Sequence, residues 1–321
     1  MKRYVLHILI GIALCLQACH SDLETEEMAI GMAATSVEST TRALINSADD
    51  LRSFRVDAYK EGTSNEQVFS FSKQSITRNG DKWEYNPVRY WDRKGYYYFG
   101  AYSPENIAVS PTNTKGVLTI SAPNWQAIDG DETDIVVATS QGAATGYIGM
   151  DAGTVKFDFE HILAQLEVQI VRSAFLTNEY TLTGLTYKTV PTDKDNATTT
   201  YTLDYTMLAN SAMAEVVTAD KIAYNNGAGV VVDPEVKAET TFKHLVVPFA
   251  ATTDGGLQIV VNYMVNRTPK QATVKTGVTA LEAGKRYVLK LTFDSGLDII
   301  PELEIADWEE QKIDEDPKYN W

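Results

Sequence analysis

The chain has 321 residues and a formal charge of −15. A surface this acidic repels phosphate backbones, which removes nucleic acid from the candidate partners. Both cysteines, Cys15 and Cys19, fall within the first 19 residues, so the remainder has no thiolate nucleophile, no cysteine metal site and no disulfide, while its length suffices for two domains with separate cores.

Lys2 and Arg3 precede an apolar run of 15 residues, Tyr4 to Ala18. A membrane-spanning helix needs about 20, so residues 1–18 are predicted to be a signal peptide rather than a permanent span. A small residue, Ala18, directly before Cys19 is the arrangement of a bacterial lipoprotein, which makes Cys19 the candidate lipidation site. Two or three acyl chains, at about 0.8 kcal/mol per buried CH₂, hold a protein on a membrane where one chain does not. The alternative is an ordinary cleaved signal with an incidental cysteine. Loss of residues 1–18 removes Lys2 and Arg3 and leaves a charge of −17. Residues 20–41, with scattered Leu, Ile, Met and Val, read as a linker.

From Leu51 onward the chain is rich in Thr, Val, Tyr and Phe. Period-two patterning predicts strands at Phe54–Tyr59, Val68–Phe71, Tyr96–Tyr102, Val117–Ser121, Asp134–Thr139 and Val155–Phe159. It continues at Leu166–Val171, Tyr180–Tyr187, Tyr201–Tyr205, Val230–Val232, His244–Phe249, Leu257–Val265 and Tyr287–Phe293. Many short strands without a long 3.6-period helix argue for an all-β sandwich architecture. Arg78-Asn79-Gly80-Asp81 and Asn225-Asn226-Gly227 carry turn residues. Thr192–Thr200 and Asp233–Thr241 read as exposed loops. The Gly, Ala and Ser-rich stretch Ser140–Gly153 supplies a domain boundary, giving domains at 43–150 and 151–321. One parity break stands out: Val155, Phe157 and Phe159 occupy odd positions, whereas Leu166, Val168 and Ile170 occupy even ones. A bulge or helical turn between His161 and Gln165 is expected to shift the register.

Several segments together form a recognisable pattern. They are Thr41-Arg42-Ala43, Leu51–Tyr59, Trp83-Glu84-Tyr85-Asn86-Pro87, Tyr90-Trp91, Tyr98–Pro104, Asp134–Ala138, Val155–Leu166, Gly284–Leu289 and Ile305–Trp308. In order and spacing, over almost all of the chain after the signal, they resemble the fimbrillin family of Bacteroidales, the subunits of type V pili. The acidic residues after Cys19 likewise resemble the surface-export tails of Bacteroidetes lipoproteins, or are simply a solvated linker. The family resemblance implies an all-β fold of two tandem transthyretin-like β-sandwich domains. It implies export to the outer membrane through lipid on Cys19, and a surface-exposed place in a fimbrium. In polymerising members an arginine-specific protease removes the N-terminal segment with its first strand, and a neighbour's strand fills the groove. Arg42 matches the cleaved arginine, which makes 19–42 a lipidated leader and Ala43 the new first residue. The product would carry −13.

The partners so implied are other fimbrial subunits, whether copies of the chain or accessory pilins, joined by strand donation. A donated strand satisfies unpaired backbone groups and an apolar groove together, and head-to-tail donation builds a filament. Glu26–Val37 and Leu303–Trp321 are the candidate donor segments. The second is short in apolar alternation, with Leu303, Ile305, Trp308 and Ile313, which leaves a tip or accessory role open.

Chemistry has few carriers. His161, flanked by Asp158 and Glu160, reads as a structural histidine at the register break, and His244 opens a strand with no nucleophile nearby. Asp129-Gly130-Asp131-Glu132-Thr133-Asp134 has the oxygen density of a calcium loop but not its spacing, and reads as a solvated acidic loop. No phosphate loop, zinc helix or nucleophile elbow occurs; no enzyme activity and no cofactor are expected. The aromatic run Trp83, Tyr85, Tyr90, Trp91, Tyr96–Phe99 and Tyr102 reads as sandwich core. Trp125, after Pro123-Asn124, is the candidate exposed contact for a host or bacterial glycan or protein. It carries the alternative function, a non-polymerising surface lipoprotein.

Overall fold

The computed structural model describes residues 28–37, 49–62, 67–92, 95–111, 116–121, 134–143, 153–189, 200–206, 209–210, 221–246, 248–250, 256–295 and 299–307. The strands of the first half are β1 (Met32–Val37), β2 (Ser53–Gly62), β3 (Gln67–Asn79), β4 (Lys82–Glu84), β5 (Gly95–Ser103), β6 (Val109–Pro111), β7 (Val117–Ser121), β8 (Val136–Ala143) and β9 (Val155–His161). Those of the second half are β10 (Ala164–Arg172), β11 (Tyr180–Thr189), β12 (Thr200–Asp204), β13 (Ala209–Asn210), β14 (Lys221–Val231), β15 (Thr241–Val246), β16 (Phe249–Ala250), β17 (Leu257–Val265), β18 (Thr268–Lys275), β19 (Ala280–Leu281), β20 (Lys285–Phe293) and β21 (Ile299–Asp307). Helical structure among the described residues is confined to a 3-10 turn, Ala238–Thr240, and a 3-10 position at Ser295.

The strands build two tandem β-sandwiches, the fold class read from the sequence. In the first, a seven-stranded sheet of order β1-β9-β8-β5-β2-β3-β4 faces a four-stranded sheet of order β13-β12-β7-β6. The larger sheet rolls until its end strands, β1 and β4, touch. Its inner face holds Phe54, Phe99, Phe157, Phe159 and Trp91. Phe54 meets Trp83, Phe157 and Phe159 edge-on at 5.1, 5.5 and 5.3 Å, contacts that add about 0.5–1.5 kcal/mol per pair beyond area burial. Its outer face packs Tyr59, Tyr102 and Val137 on Leu118, Ile120, Tyr201 and Leu203 of the smaller sheet. β5 lies between these two cores, which is why its aromatic run is buried or half-buried throughout.

The second sandwich packs β15-β10-β20-β21 on β14-β11-β17-β18, around Leu166, Val168, Ile170, Leu289, Leu291 and Tyr187. On β10, Glu167 accepts bonds from Arg286 Nη2 at 2.7 Å and Gln169 Nε2 at 2.8 Å, with Lys243 Nζ at 2.9 Å. Burial alone would raise its pKa, but hydrogen bonds from Lys243, Gln169 and Arg286 outweigh burial and hold it at about 2.

Three sequence expectations are revised here. The parity break after β9 is neither a bulge nor a helical turn. The chain leaves the first sandwich at His161, bends through Ile162 and Leu163, and enters the second sandwich as β10. The division at 150/151 also sits beside a more interlaced pairing: β9 pairs with β8 and β1, and β12 from the second half pairs antiparallel with β7. Finally, Asn225-Asn226-Gly227 is no strand-ending turn. It lies inside β14, where the pairing with β11 jumps from Leu182↔Val230 to Gly184↔Asn225 and residues between bulge outward. Arg78–Asp81 is the β3–β4 turn, with Gly80 at φ 62°.

Candidate functional site

The site is the N-terminal segment Met28–Val37 and the groove that holds it. Its sequence, MAIGMAATSV, has no charged residue. Ile30, Met32 and Val37 are buried in the first sandwich; full burial of such side chains contributes about 1.5–3 kcal/mol each. The segment changes partners along its length. First it runs antiparallel to 89–91: Ile30 N–H donates to Arg89 O at 2.8 Å and Trp91 N–H to Met28 O at 2.9 Å. Tyr85 Oη also donates to Ile30 O, at 2.5 Å. Then Val155 N–H donates to Gly31 O at 2.8 Å, and β1 continues parallel to β9 with Met32 opposite Val155 and Ala34 opposite Phe157. Reading 20–41 as a linker therefore missed a strand within 32–37.

The parallel ladder is interrupted between Ala34 and Ser36, and side chains replace part of what the backbone loses there. Thr35 Oγ1 and Ser36 Oγ both donate to Asp158 Oδ1, at 2.7 and 2.6 Å. These two bonds hold the Asp158 carboxyl below the usual carboxylate range, against a smaller opposing effect of burial. An open cleft of about 580 Å³ flanks the start of the segment, lined by Ile30, Gly31, Trp83, Tyr85, Val88 and Thr154 among others.

β1 ends the hydrogen-bond order of its sheet, with β9 as its ladder partner. Without it, β9 would present unpaired backbone groups beside the exposed inner core, the condition under which an edge recruits another strand. The opposite terminus differs. β21 pairs antiparallel with β20 over nine residues, Phe293↔Ile299 to Lys285↔Asp307. Ile300, Leu303 and Ile305 on it are exposed. The candidate donor Leu303–Trp321 is thus engaged as far as Asp307, and residues 308–321 lie outside the described residues. Of the other donor candidate, Met28–Val37 is the segment above, while Glu26 and Glu27 lie outside.

Cys19, Arg42, Ala43, Trp125 and residues 129–133 also lie outside the described residues. Asp134, the last member of the acidic run, is 2% exposed and shares a hydrogen bond with His161 Nδ1 through Oδ1 at 2.8 Å. The pair closes the end of β9 against the strand entering β8, a structural role for both residues. His244 pairs across to Leu166 and meets Tyr187 edge-on at 5.5 Å inside the second sandwich. Among the described residues no three His, Cys, Asp or Glu side chains gather as a metal site. Of the aromatic run, Trp91, Tyr97, Phe99 and Tyr102 are buried, whereas Tyr90 is exposed.

The family model described as fimbrillin-like matches residues 41–308 of the chain. Among solved structures, the chain is similar to a fimbrial protein from Bacteroides vulgatus, with 17% identity, a TM-score of 0.58, and coverage of 87% of this chain and 99% of that one. It is also similar to a candidate cell adhesion protein from Bacteroides uniformis (14% identity, TM-score 0.53, 89% of this chain and 99% of that one). A third, from Bacteroides ovatus, is a candidate cell adhesion protein at 15% identity and TM-score 0.53, covering 88% of this chain and 98% of that one. At these identities the likeness is one of fold. No curated protein matches the chain.

Proposed function

The chain belongs to the fimbrillin-like family, and from that premise we propose that it is a structural, non-enzymatic subunit of an adhesive cell-surface fimbria. It is exported as a lipoprotein precursor on Cys19 to the outer membrane. An arginine-specific protease then cuts after Arg42, the leader departs with β1, and a strand of another fimbrial subunit takes its place.

The observation that carries this reading is the location of Met28–Val37. It lies upstream of Arg42 in sequence, yet it completes a sheet of the first sandwich. A cut at Arg42 severs that strand from the body covalently while leaving β2 onward intact. The strand is held by three buried side chains, a short interrupted ladder to β9, the backbone bonds to Arg89 and Trp91, the Tyr85 hydroxyl and two hydroxyl bonds to one carboxylate. A longer donated ladder would compete with it effectively.

The test is digestion of purified precursor by an arginine-specific protease, followed by mass spectrometry of the new N-terminus. Cleavage before Ala43, with release of the leader and gain of binding to fimbrial partners, is expected for the natural chain. Arg42→Ala should block all three. If Arg42→Ala is processed and binds partners like the natural chain, processing at this site is wrong.

A further inference from the structure

At one point the leader strand touches its groove with little room for a side chain. A Cβ built on Gly31 would lie 2.8 Å from Thr154 Oγ1 and 3.2 Å from Thr154 Cα. The hydroxyl can rotate away. The Cα would have to give by a few tenths of an ångström, which the Val155 N–H bond to Gly31 O at 2.8 Å resists. On either side, Ile30 and Met32 are 1% and 4% exposed. A charge at either position would be buried without a partner, which is costly. The groove therefore reads a triplet of apolar residue, glycine, apolar residue, followed by the hydroxyls of Thr35 and Ser36 at the bulge.

The chain's own C-terminal segment does not present that triplet. Residues 299–321 contain no glycine, and eight acidic residues stand against two basic ones. Their one alanine, Ala306, lies between Ile305 and Asp307. Placed at the Gly31 position in either chain direction, it puts Asp307 where a buried Ile30 or Met32 now sits. The leader segment, by contrast, is uncharged throughout Met28–Val37.

We propose that the Gly31–Thr154 approach is a gate that selects the occupant of this groove. Resting on the strand-exchange reading above, it means that the vacated groove takes an uncharged strand with an apolar-glycine-apolar triplet from a different chain. The C-terminal segment of a second copy is refused, so the subunit does not form homopolymers by donating residues 299–321 into this groove.

The gate is tested on the intact chain by hydrogen exchange at the β9 amides. Gly31→Val should speed exchange at Val155 by about tenfold or more, and Thr154→Gly added to it should restore protection to within about threefold. Gly31→Ala, a smaller intrusion, should fall between and serves where the valine variant folds poorly. Unchanged exchange in the single variants overturns the gate. Selection is then tested on protein cut after Arg42, with three labelled peptides: residues 28–37, the same peptide carrying Gly31→Val, and residues 299–321. The first should bind about tenfold tighter than either of the others. Binding of the 299–321 peptide within about threefold of the leader peptide overturns the proposal. Failure of the cut itself would sink the processing reading, while the exchange experiment on uncut protein still decides the gate.

Discussion

The two sandwiches are closed in different ways. The second is built from eight strands, β10, β11, β14, β15, β17, β18, β20 and β21, all drawn from residues 164–307. The first borrows at both ends: β1 comes from the N-terminal segment ahead of residue 38, and β12 and β13 come from between β11 and β14 of the second sandwich. A self-contained sandwich can be cut in its connections without losing a layer. A sandwich completed by a terminal strand can be opened by one peptide-bond cleavage outside it. The difference places the point of vulnerability, and the proposed assembly chemistry, in the first sandwich alone.

The largest effect that would sharpen this contrast is a core truncation in each half. Phe157→Ala removes a ring that packs on Phe54 and lies under β1, and should cost about 3–5 kcal/mol. Leu289→Ala in the second sandwich should cost about 2–5 kcal/mol. Calorimetry with hydrogen exchange should show Phe157→Ala loosening Met28–Val37, and Leu289→Ala leaving that segment protected. Equal loosening by both would mean that the leader is held by the whole molecule and not by its own sandwich.

A smaller effect should be confined to the second sandwich. The Glu167 carboxyl is depressed from 4.5 to about 2 by its hydrogen bonds with Lys243, Gln169 and Arg286, despite burial. A depressed acid stabilises the fold above its unfolded pKa, and that stability is lost as pH falls toward the folded value. Stability from this group is therefore complete above about pH 4.5 and declines between 4.5 and about 2. Glu167→Gln should cost about 2 kcal/mol at neutral pH and flatten the acid limb of the second sandwich's unfolding curve. A mutant whose acid limb matches the natural chain would remove Glu167 from that account.

The smallest effect concerns the bulge. Thr35→Ala and Ser36→Ala each delete one hydroxyl bond to Asp158 and should weaken leader retention by about 0.5–1 kcal/mol. Leader exchange rates after cleavage would read this directly. No change in either variant would leave side-chain burial, the backbone bonds and the Tyr85 hydroxyl as the hold on the strand.

Most strands were legible because half-burial imposes period two. β9 alternates buried and exposed from Val155 to His161, and the sequence displays this plainly. β1 was harder. Met28, Ile30 and Met32 do alternate, but Ala33 to Ser36 carry little contrast, and the bulge moves Val37 onto the other parity. An acidic stretch before it strengthens the appearance of a linker. β12 was readable as a strand from Tyr201, Leu203 and Tyr205, but not its partner. Pairing with β7, about eighty residues earlier, depends on long-range closure that leaves no local periodic trace. The partner of Asp134 was hidden for the same reason: 27 positions separate it from His161, and neither residue's neighbours in sequence point to the other.

The borrowed strand β12 has a consequence for the joint between the two sandwiches. A chain that crosses from one sandwich to the other once, through Ile162 and Leu163, would make a hinge of those two residues. Here the chain crosses three times: at 162–163, again to reach β12, and again to return to β14. Moving the two sandwiches apart beyond the reach of those connections would require β12 to leave β7 and Tyr201, Leu203 and Tyr205 to leave the core. The joint between the sandwiches is therefore made by a covalent bend and by a strand pairing together, rather than by the bend alone.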